Sequence, residues 1–442
     1  MGLFIGGMLD YVYQLEENMM DENLKRAYLN ILREELVPAM GCTEPIAIAY
    51  AGAKARMILG DIPDKVIAKC SGNIIKNARC VTIPNSGDLS GIEAGVMVGV
   101  VAGDAEKKME VLQSVDQCGI DETKRLLKEG ICSVEFLDTI IPLHIIVELY
   151  KGNESALVEI KYAHTNITRI EKNGEVLLCE TEDEKWTQNL QDRSMLNLSS
   201  IKDFADNVPI DDIKDLFDTQ IKCNMDISDV GMEGKYGLGI GKILMESYPE
   251  GVVTKMKARA SAASEARMGG CDLPVVINSG SGNQGIASSV PVIVYARENN
   301  ISDEKLYRTL AFSNLLTIYQ KEFIGKLSAF CGAVSAACSS GAAITYIDGG
   351  NLEQIKKTIV NTLANISGII CDGAKVSCAA KIASSLDASM MAHYLAMSGK
   401  TYGAYEGILQ DEADSTISCV GHIGKEGMKE TDKEIIRIML GE

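Results

Sequence analysis

Four of the thirteen cysteines in this 442-residue chain stand where local sequence gives a thiol chemical work. Cys42 lies in GCTEP, residues 41 to 45, between a charged helical stretch and the apolar run EPIAIAYAGAKARMIL. Glu44 and Pro45 suit the first turn of a helix, the acid because of the macrodipole and the proline because an N–H there needs no partner. Cys42 is therefore expected at a helix N-terminus, which lowers a thiol pKa and makes a ready base. The neighbouring Glu44 carboxylate opposes that shift. In the second half, CDLPVVINSGSGNQG (271–285), FCGAVSAACSSG (330–341) and ICDGAKVSC (370–378) each set a cysteine or a polar cluster beside glycines, where backbone can approach a ligand closely. No C-x-x-C pair of the kind zinc favours is present. Cys331, Cys371 and Cys378 are widely spaced, which fits three thiolates converging from separate loops, the donor set of a four-iron cluster with one open iron. Spacing alone leaves buried structural thiols as the commoner alternative, and that reading is preferred for Cys271 and Cys338.

Gly280-x-Gly282-x-x-Gly285 formally satisfies a dinucleotide fingerprint, but Pro291 follows and no βαβ unit surrounds it, so NAD binding is not expected. A Gly-Ser-Asn loop leading into a helix is nevertheless an anion cradle. Asn278, Ser279, Ser281 and Asn283 are the candidates for holding a substrate carboxylate or amine, against the alternative of a tight structural turn. GMEGKYGLGIGK (231–242) lacks the Gly-Lys-Ser/Thr ending of a P-loop and is read as a loop near a site or interface. His144, His164, His393 and His422 show no metal-ligand spacing and are expected to be structural. No lysine is singled out for a pyridoxal Schiff base.

These residues need elements to position them. DENLKRAYLNILREEL (21–36) has helical spacing that Pro38 stops, and GIEAGVMVGVVAG (91–103) reads as a tightly packed helix. VIAKCSGNI near 66 reads as a strand. From about 131 to 180, CSVEFL, HIIVELY, ALVEIKYAHT and TRIEKNGEVLL alternate in β fashion, and Asn173-Gly174 marks a hairpin. Residues 181–208, with the single tryptophan, Trp186, read as a polar connection. Beyond about 209 the chain is mainly helical. The expected fold is α+β, with a mixed N-terminal part over 1–200 carrying GCTEP and a predominantly helical domain over 201–442.

The bulk numbers set limits. At 46% hydrophobic content the chain can bury more than one core. Its balance of 61 acidic to 43 basic residues, net −18, repels nucleic acid and anionic membranes. MGLFIGGMLDYVYQLEEN lacks a basic n-region and a cleavage pattern, so no signal peptide is read. The uncharged window at 327–347 is rich in Ala, Ser and Gly and is expected as a buried helix, not a membrane span. An odd number of scattered cysteines argues for free thiols in a reducing cytoplasm.

Taken together, GCTEP with the preceding Glu35-Leu-Val-Pro-Ala-Met, NSGSGNQG, FCGAVSAACSSGAA and GIICDGAKVSC resemble the L-cysteine desulfidase family, related to the iron–sulfur L-serine dehydratases. The resemblance runs from about Glu34 to the C-terminus through four motifs in order. It implies that Cys331, Cys371 and Cys378 ligate a [4Fe-4S] cluster with one open iron and that Cys42 is the catalytic cysteine. It also implies cleavage of L-cysteine to pyruvate, ammonia and hydrogen sulfide without pyridoxal phosphate. The chemistry is coherent, since β-elimination needs a base for the α-proton and a soft Lewis acid for departing sulfur. Dehydration of L-serine or a related hydroxy amino acid differs only in the leaving group. A cluster-bearing amino-acid sensor without turnover is the alternative from another class. The expected partner is a small amino acid, with no nucleic acid or membrane, and self-association of the chain stays open.

Overall fold

The structure, a computed structural model, describes residues 22–180, 191–325 and 328–441. The opening stretch 1–18 and Trp186 lie outside the described residues. Helical spacing gives α1 (Glu22–Glu35), and Pro38 then opens the short strand β1 (Pro38–Met40). GCTEP leads into α2 (Thr43–Leu59), which is buried on nearly every side because it is apolar all round. It packs against α4 (Ile92–Ala102) so closely that a Cβ at Gly99 would lie 2.1 Å from the Ala49 carbonyl oxygen. Between them run β2 (Lys65–Cys70) and the short α3 (Gly72–Ala78), and α5 (Gln117–Lys128) follows.

The alternating segments form β3 (Cys132–Phe136), β4 (His144–Lys151), β5 (Glu154–Lys161), β6 (Ile167–Lys172) and β7 (Glu175–Cys179). They join β2 in a six-stranded sheet of order β3-β2-β4-β5-β6-β7. Only β2 and β3 are parallel, joined across the helices α3 to α5, and the other pairs are antiparallel. Asn173 and Gly174 both take positive φ, the requirement of the tight turn that joins β6 to β7.

The second half is helical. It comprises α6 (Leu198–Asn207), α7 (Ile210–Met232), α8 (Ile240–Ser247), α9 (Val252–Met268) and, after the three-residue β8 (Pro274–Val276), α10 (Gly282–Glu298). Then come α11 (Asp303–Ile324), α12 (Gly332–Ile347), α13 (Leu352–Asn365), α14 (Cys378–Met397), α15 (Ala413–His422) and α16 (Lys429–Leu440). This is the expected α+β fold, with the mixed sheet in the first half and helices in the second. Among the described residues no helix is long and apolar enough to cross a membrane. The uncharged window becomes α12, buried from Ala333 to Ile347.

Two large hydrophobic cores form among the described residues. The smaller gathers α2, α4 and the inward face of the sheet, including Ile46, Val96, Ile145 and Val158. The larger gathers the second-half helices, and α1 and β1 join it through Tyr28, Leu32 and Ala39. The antiparallel pairing of β1 with β8, Ala39 opposite Val275, is what draws the start of the chain onto the helical half.

A candidate active site where three cysteine loops meet Cys42

Cys42 occupies the extended position just before α2, as GCTEP predicts, with its side chain 2% exposed. Its thiol donates to Glu44 Oε2 at 3.1 Å. Glu44 is itself buried and collects further donors: Asn77 Nδ2 at 3.1 Å on Oε1, and the Thr43 hydroxyl at 3.0 Å on Oε2. His164 Nε2 stands 4.0 Å from Oε1. The Thr43 hydroxyl lies equally close, 3.0 Å, to the Gly280 carbonyl, and its single proton serves one acceptor at a time. The expected standing thiolate is not what this environment makes. Burial raises the Cys42 pKa well above the ordinary cysteine range, the Glu44 carboxylate adds to the rise, and the nearby Arg267 guanidinium only partly offsets them. The resting form is a thiol poised on a carboxylate.

The loop between β8 and α10 faces Cys42 from the other half. Asn278 is fully buried, with its amide spent on the Asn314 carbonyl (3.2 Å) and Asn314 Oδ1 (3.0 Å). It accepts from the Ser279 hydroxyl at 2.8 Å, and its backbone pairs in both directions with Ser281. Asn283 Oδ1 accepts from the Ser264 hydroxyl at 3.0 Å and from Arg267 Nη1 at 3.3 Å. The glycines here serve packing: a Cβ at Gly282 would sit 2.2 Å from Arg267 Nε, and one at Gly285 would sit 2.0 Å from the Val276 carbonyl. With β8 only three residues long and paired antiparallel, there is no parallel βαβ unit around the fingerprint.

Cys331 precedes α12, and Cys371 and Cys378 stand at the two ends of the loop that leads into α14. Backbone hydrogen bonds from Cys331 N to Ile369 O (2.9 Å) and from Cys371 N to Ala329 O (2.7 Å) zip the first two together. Cys331 and Cys371 are in hydrogen-bond contact, and Cys378, which starts α14, is close enough to repel their charge. The Cys331–Cys371 pair sheds one proton easily, because Cys331 donates to the Cys371 sulfur and the Lys76 and Lys381 ammonium groups favour its charge against the cost of burial. Lys321 is also buried here, and desolvation pushes its ammonium pKa down to about 8. Among the described residues no three His, Cys, Asp or Glu side chains are spaced for a single metal ion. Three soft, largely buried donors, one before α12 and two on the loop into α14, with lysines around them fit an anionic polynuclear iron–sulfur group, in which each thiolate would meet a different iron. Cys338 lies apart from this set, packed against Thr362 and Gln320, and burial pushes its thiol up to about 12. Cys271 is buried beside Tyr236.

Two contacts bring these parts into one place. Cys42 packs in a small cluster with Val81 and Met268 against Ala374 and Val376, residues of the loop between Cys371 and Cys378. The short helix α3 bridges the rest: Asn77 reaches Glu44, while its neighbour Lys76 hydrogen-bonds the Ser328 carbonyl at 3.3 Å and pairs with Asp432. A cavity of about 1190 Å³ opens alongside, with His164, Ser279, Gly280 and Ser328 in its wall. None of the four cysteines lines it.

Sequence reasoning singled out none of Asn77, Lys76, Lys321, Arg267 and Gln284; it read His164 as structural, and the fold sets that residue beside Glu44 and Gly280. One signal was visible for Arg267: ASAASEARMGG carries two charges in an otherwise small-residue helix. Its companion Glu265 is buried and accepts from the backbone N–H groups of Leu238 (2.6 Å) and Ile240 (2.7 Å), which ties down the connection 233–239 between α7 and α8; the flanking residues of 231–242 are helical.

Comparison with known proteins matches residues 106–437 to the model of a family described as serine dehydratase alpha chain. A UPF0597 protein of Lachnoclostridium phytofermentans is 51% identical over 412 residues, 93% of this chain and 99% of that one. UPF0597 proteins of Desulfitobacterium hafniense (48% identical, 94% and 97% covered) and Treponema denticola (46%, 95% and 99%) are similar along their whole length.

Proposed function

The chain belongs to the serine dehydratase alpha-chain family, and we propose on that premise that it cleaves L-cysteine by β-elimination to pyruvate, ammonia and hydrogen sulfide. The family is one of dehydratase-type amino-acid lyases. The observation that supports the finer reading is the packing of Cys42, whose thiol donates to Glu44, against the loop that holds Cys371 and Cys378.

In this reading Cys331, Cys371 and Cys378 hold a [4Fe-4S] group, which supplies a soft Lewis acid for the departing sulfur. No pyridoxal phosphate takes part. Glu44 accepts the Cys42 thiol proton as the Cys42 sulfur takes the α-proton of the substrate. The Cα–H electron pair becomes the second bond between Cα and Cβ, and the Cβ–S bond breaks with its electrons leaving on sulfur. The aminoacrylate product tautomerises to an imine, and water converts it to pyruvate and ammonia. No net oxidation occurs. Asn77 and Thr43 hold the Glu44 carboxylate in place, and the 278–283 loop faces the substrate from the other half. Burial of Cys42 excludes water from the transfer.

Dehydration of L-serine is the second reading, favoured by the description of the matched family. Both are tested together by incubating the anaerobically reconstituted protein with each amino acid. Sulfide and pyruvate released in equal amounts from L-cysteine, and lost by a factor of about 100 or more in Cys42→Ala, is the expected result. Faster pyruvate formation from L-serine would give the dehydratase reading precedence, and ligand binding without pyruvate from either would make the protein a sensor.

A further inference from the structure

The strongest unexplained group in the molecule is Arg267. Its side chain is 2% exposed, and a guanidinium is a cation with five donors and no acceptor. Among the described residues no carboxylate lies within ion-pair distance of it, and its hydrogen-bond partner is the neutral Asn283 Oδ1 at 3.3 Å. Arg267 Nε is buried without a partner. The sulfur of Cys42 feels the field of this charge but is not a hydrogen-bond partner of it. A buried cation without a counter-charge is costly, and proteins keep one where an anion arrives to pair with it.

A second orphan lies close by with the opposite need. Gln284, 5% exposed, has its Oε1 buried without a donor. It is the neighbour of Asn283 in the first turn of α10, and its amide fills the space where a Cβ at Gly332 would meet it at 2.5 Å, next to Cys331. The two orphans therefore flank the stretch from the 278–283 loop to the first of the three converging cysteines. One is a cation seeking an acceptor and the other an acceptor seeking a donor. An α-amino acid carries just this pair, a carboxylate and an ammonium on one carbon.

We propose that Arg267 binds the α-carboxylate of the substrate and Gln284 its α-ammonium, with Asn283 and Gly282 positioning the guanidinium. The inference rests on the amino-acid lyase reading above and narrows its substrate class to zwitterionic α-amino acids with a free carboxylate. Such a clamp fixes Cα without touching the side chain, which leaves the leaving group to be recognised by the cysteine loops. It also assigns the carboxylate to a charged group, where the polar loop residues Asn278 and Ser279 are already spent on each other and on Asn314.

Calorimetric titration of the anaerobically reconstituted full chain tests this with three probes that carry no leaving group. L-Alanine presents both groups, L-alaninamide lacks the carboxylate, and propionate lacks the ammonium. L-Alanine is expected to bind the parent at least about tenfold more tightly than either truncated probe. Arg267→Lys should weaken L-alanine and propionate by about tenfold or more and leave L-alaninamide unchanged. Gln284→Leu should weaken L-alanine and L-alaninamide and spare propionate. L-Alaninamide binding the parent as well as L-alanine, L-alanine failing to bind it, or Arg267→Lys binding all three probes like the parent would each overturn the assignment. The probe series on the parent decides the question even where a variant fails to fold. The lyase reading fails separately: a parent that binds L-alanine through its carboxylate yet releases neither pyruvate nor sulfide keeps the clamp and loses the reaction, whereas turnover with an unchanged KM in Arg267→Lys does the reverse.

Discussion

Cys42 and Glu44 are two positions apart in sequence, yet their relation is decided by burial. The first-turn position alone would favour a thiolate, but a helix end contributes little against full desolvation and a carboxylate 3.1 Å away. Glu44→Gln removes the adjacent charge and leaves the burial. The Cys42 pKa should therefore fall towards the ordinary range without reaching it, and Cys42 alkylation, mapped by mass spectrometry across pH, should move to lower pH than in the parent. An unmoved profile would mean that the carboxylate does not govern the thiol. The place of Cys42 just before a helix was legible because Gly41 and Pro45 mark that turn. Lys76 and Arg267 were not, since their meaning lies in distant partners or in the lack of one. Lys76 meets Asp432, 356 positions away, and no local pattern encodes that.

The strands from β4 to β7 follow from alternation and the Asn173-Gly174 turn, and α12 from its small-residue run. The attachment of α1 and β1 to the helical half was not readable, because it depends on pairing residue 38 with residue 276. Within the sheet, His144 (2.8 Å) and Lys161 (3.1 Å) hold the Glu159 carboxyl at about 2, although burial by itself would raise it. Because this folded-state value lies below the ordinary glutamate value of about 4.3, Glu159 adds stability above that value and loses it as pH falls through about 2. Glu159→Gln should accordingly flatten the acid limb of the stability curve over that interval in pH-dependent denaturation, and an unaltered limb would contradict the pairing. The loop carrying Cys371 and Cys378 depends on Gly373, whose φ is +97° and whose missing Cβ would lie 2.1 Å from the Lys76 carbonyl. Gly373→Ala should cost about 1–3 kcal/mol and lift the loop from α3. Lower iron retention with an otherwise intact fold by circular dichroism is the expected result; full retention would show that the loop does not need this seat.

The whole chain is acidic, net −18, yet the ground around the three cysteines holds Lys76, Lys321, Lys375 and Lys381. A protein that repels anions at its surface thus concentrates cations at one interior point, where thiolates and a carboxylate-bearing substrate would need them. That point lies between the two cores, so the site depends on both halves: Cys42 and Lys76 from the first, the loops at 278–283, 331 and 371–378 from the second. The most direct measurement of the account is iron and acid-labile sulfide content after anaerobic reconstitution, with pyruvate release from L-cysteine recorded on the same samples of parent, Cys371→Ala and Cys42→Ala. The account predicts about four irons per parent chain, loss of both iron and turnover in Cys371→Ala, and retained iron without turnover in Cys42→Ala. A parent that turns over L-cysteine without iron, or a Cys371→Ala chain that keeps its full iron content, would contradict it.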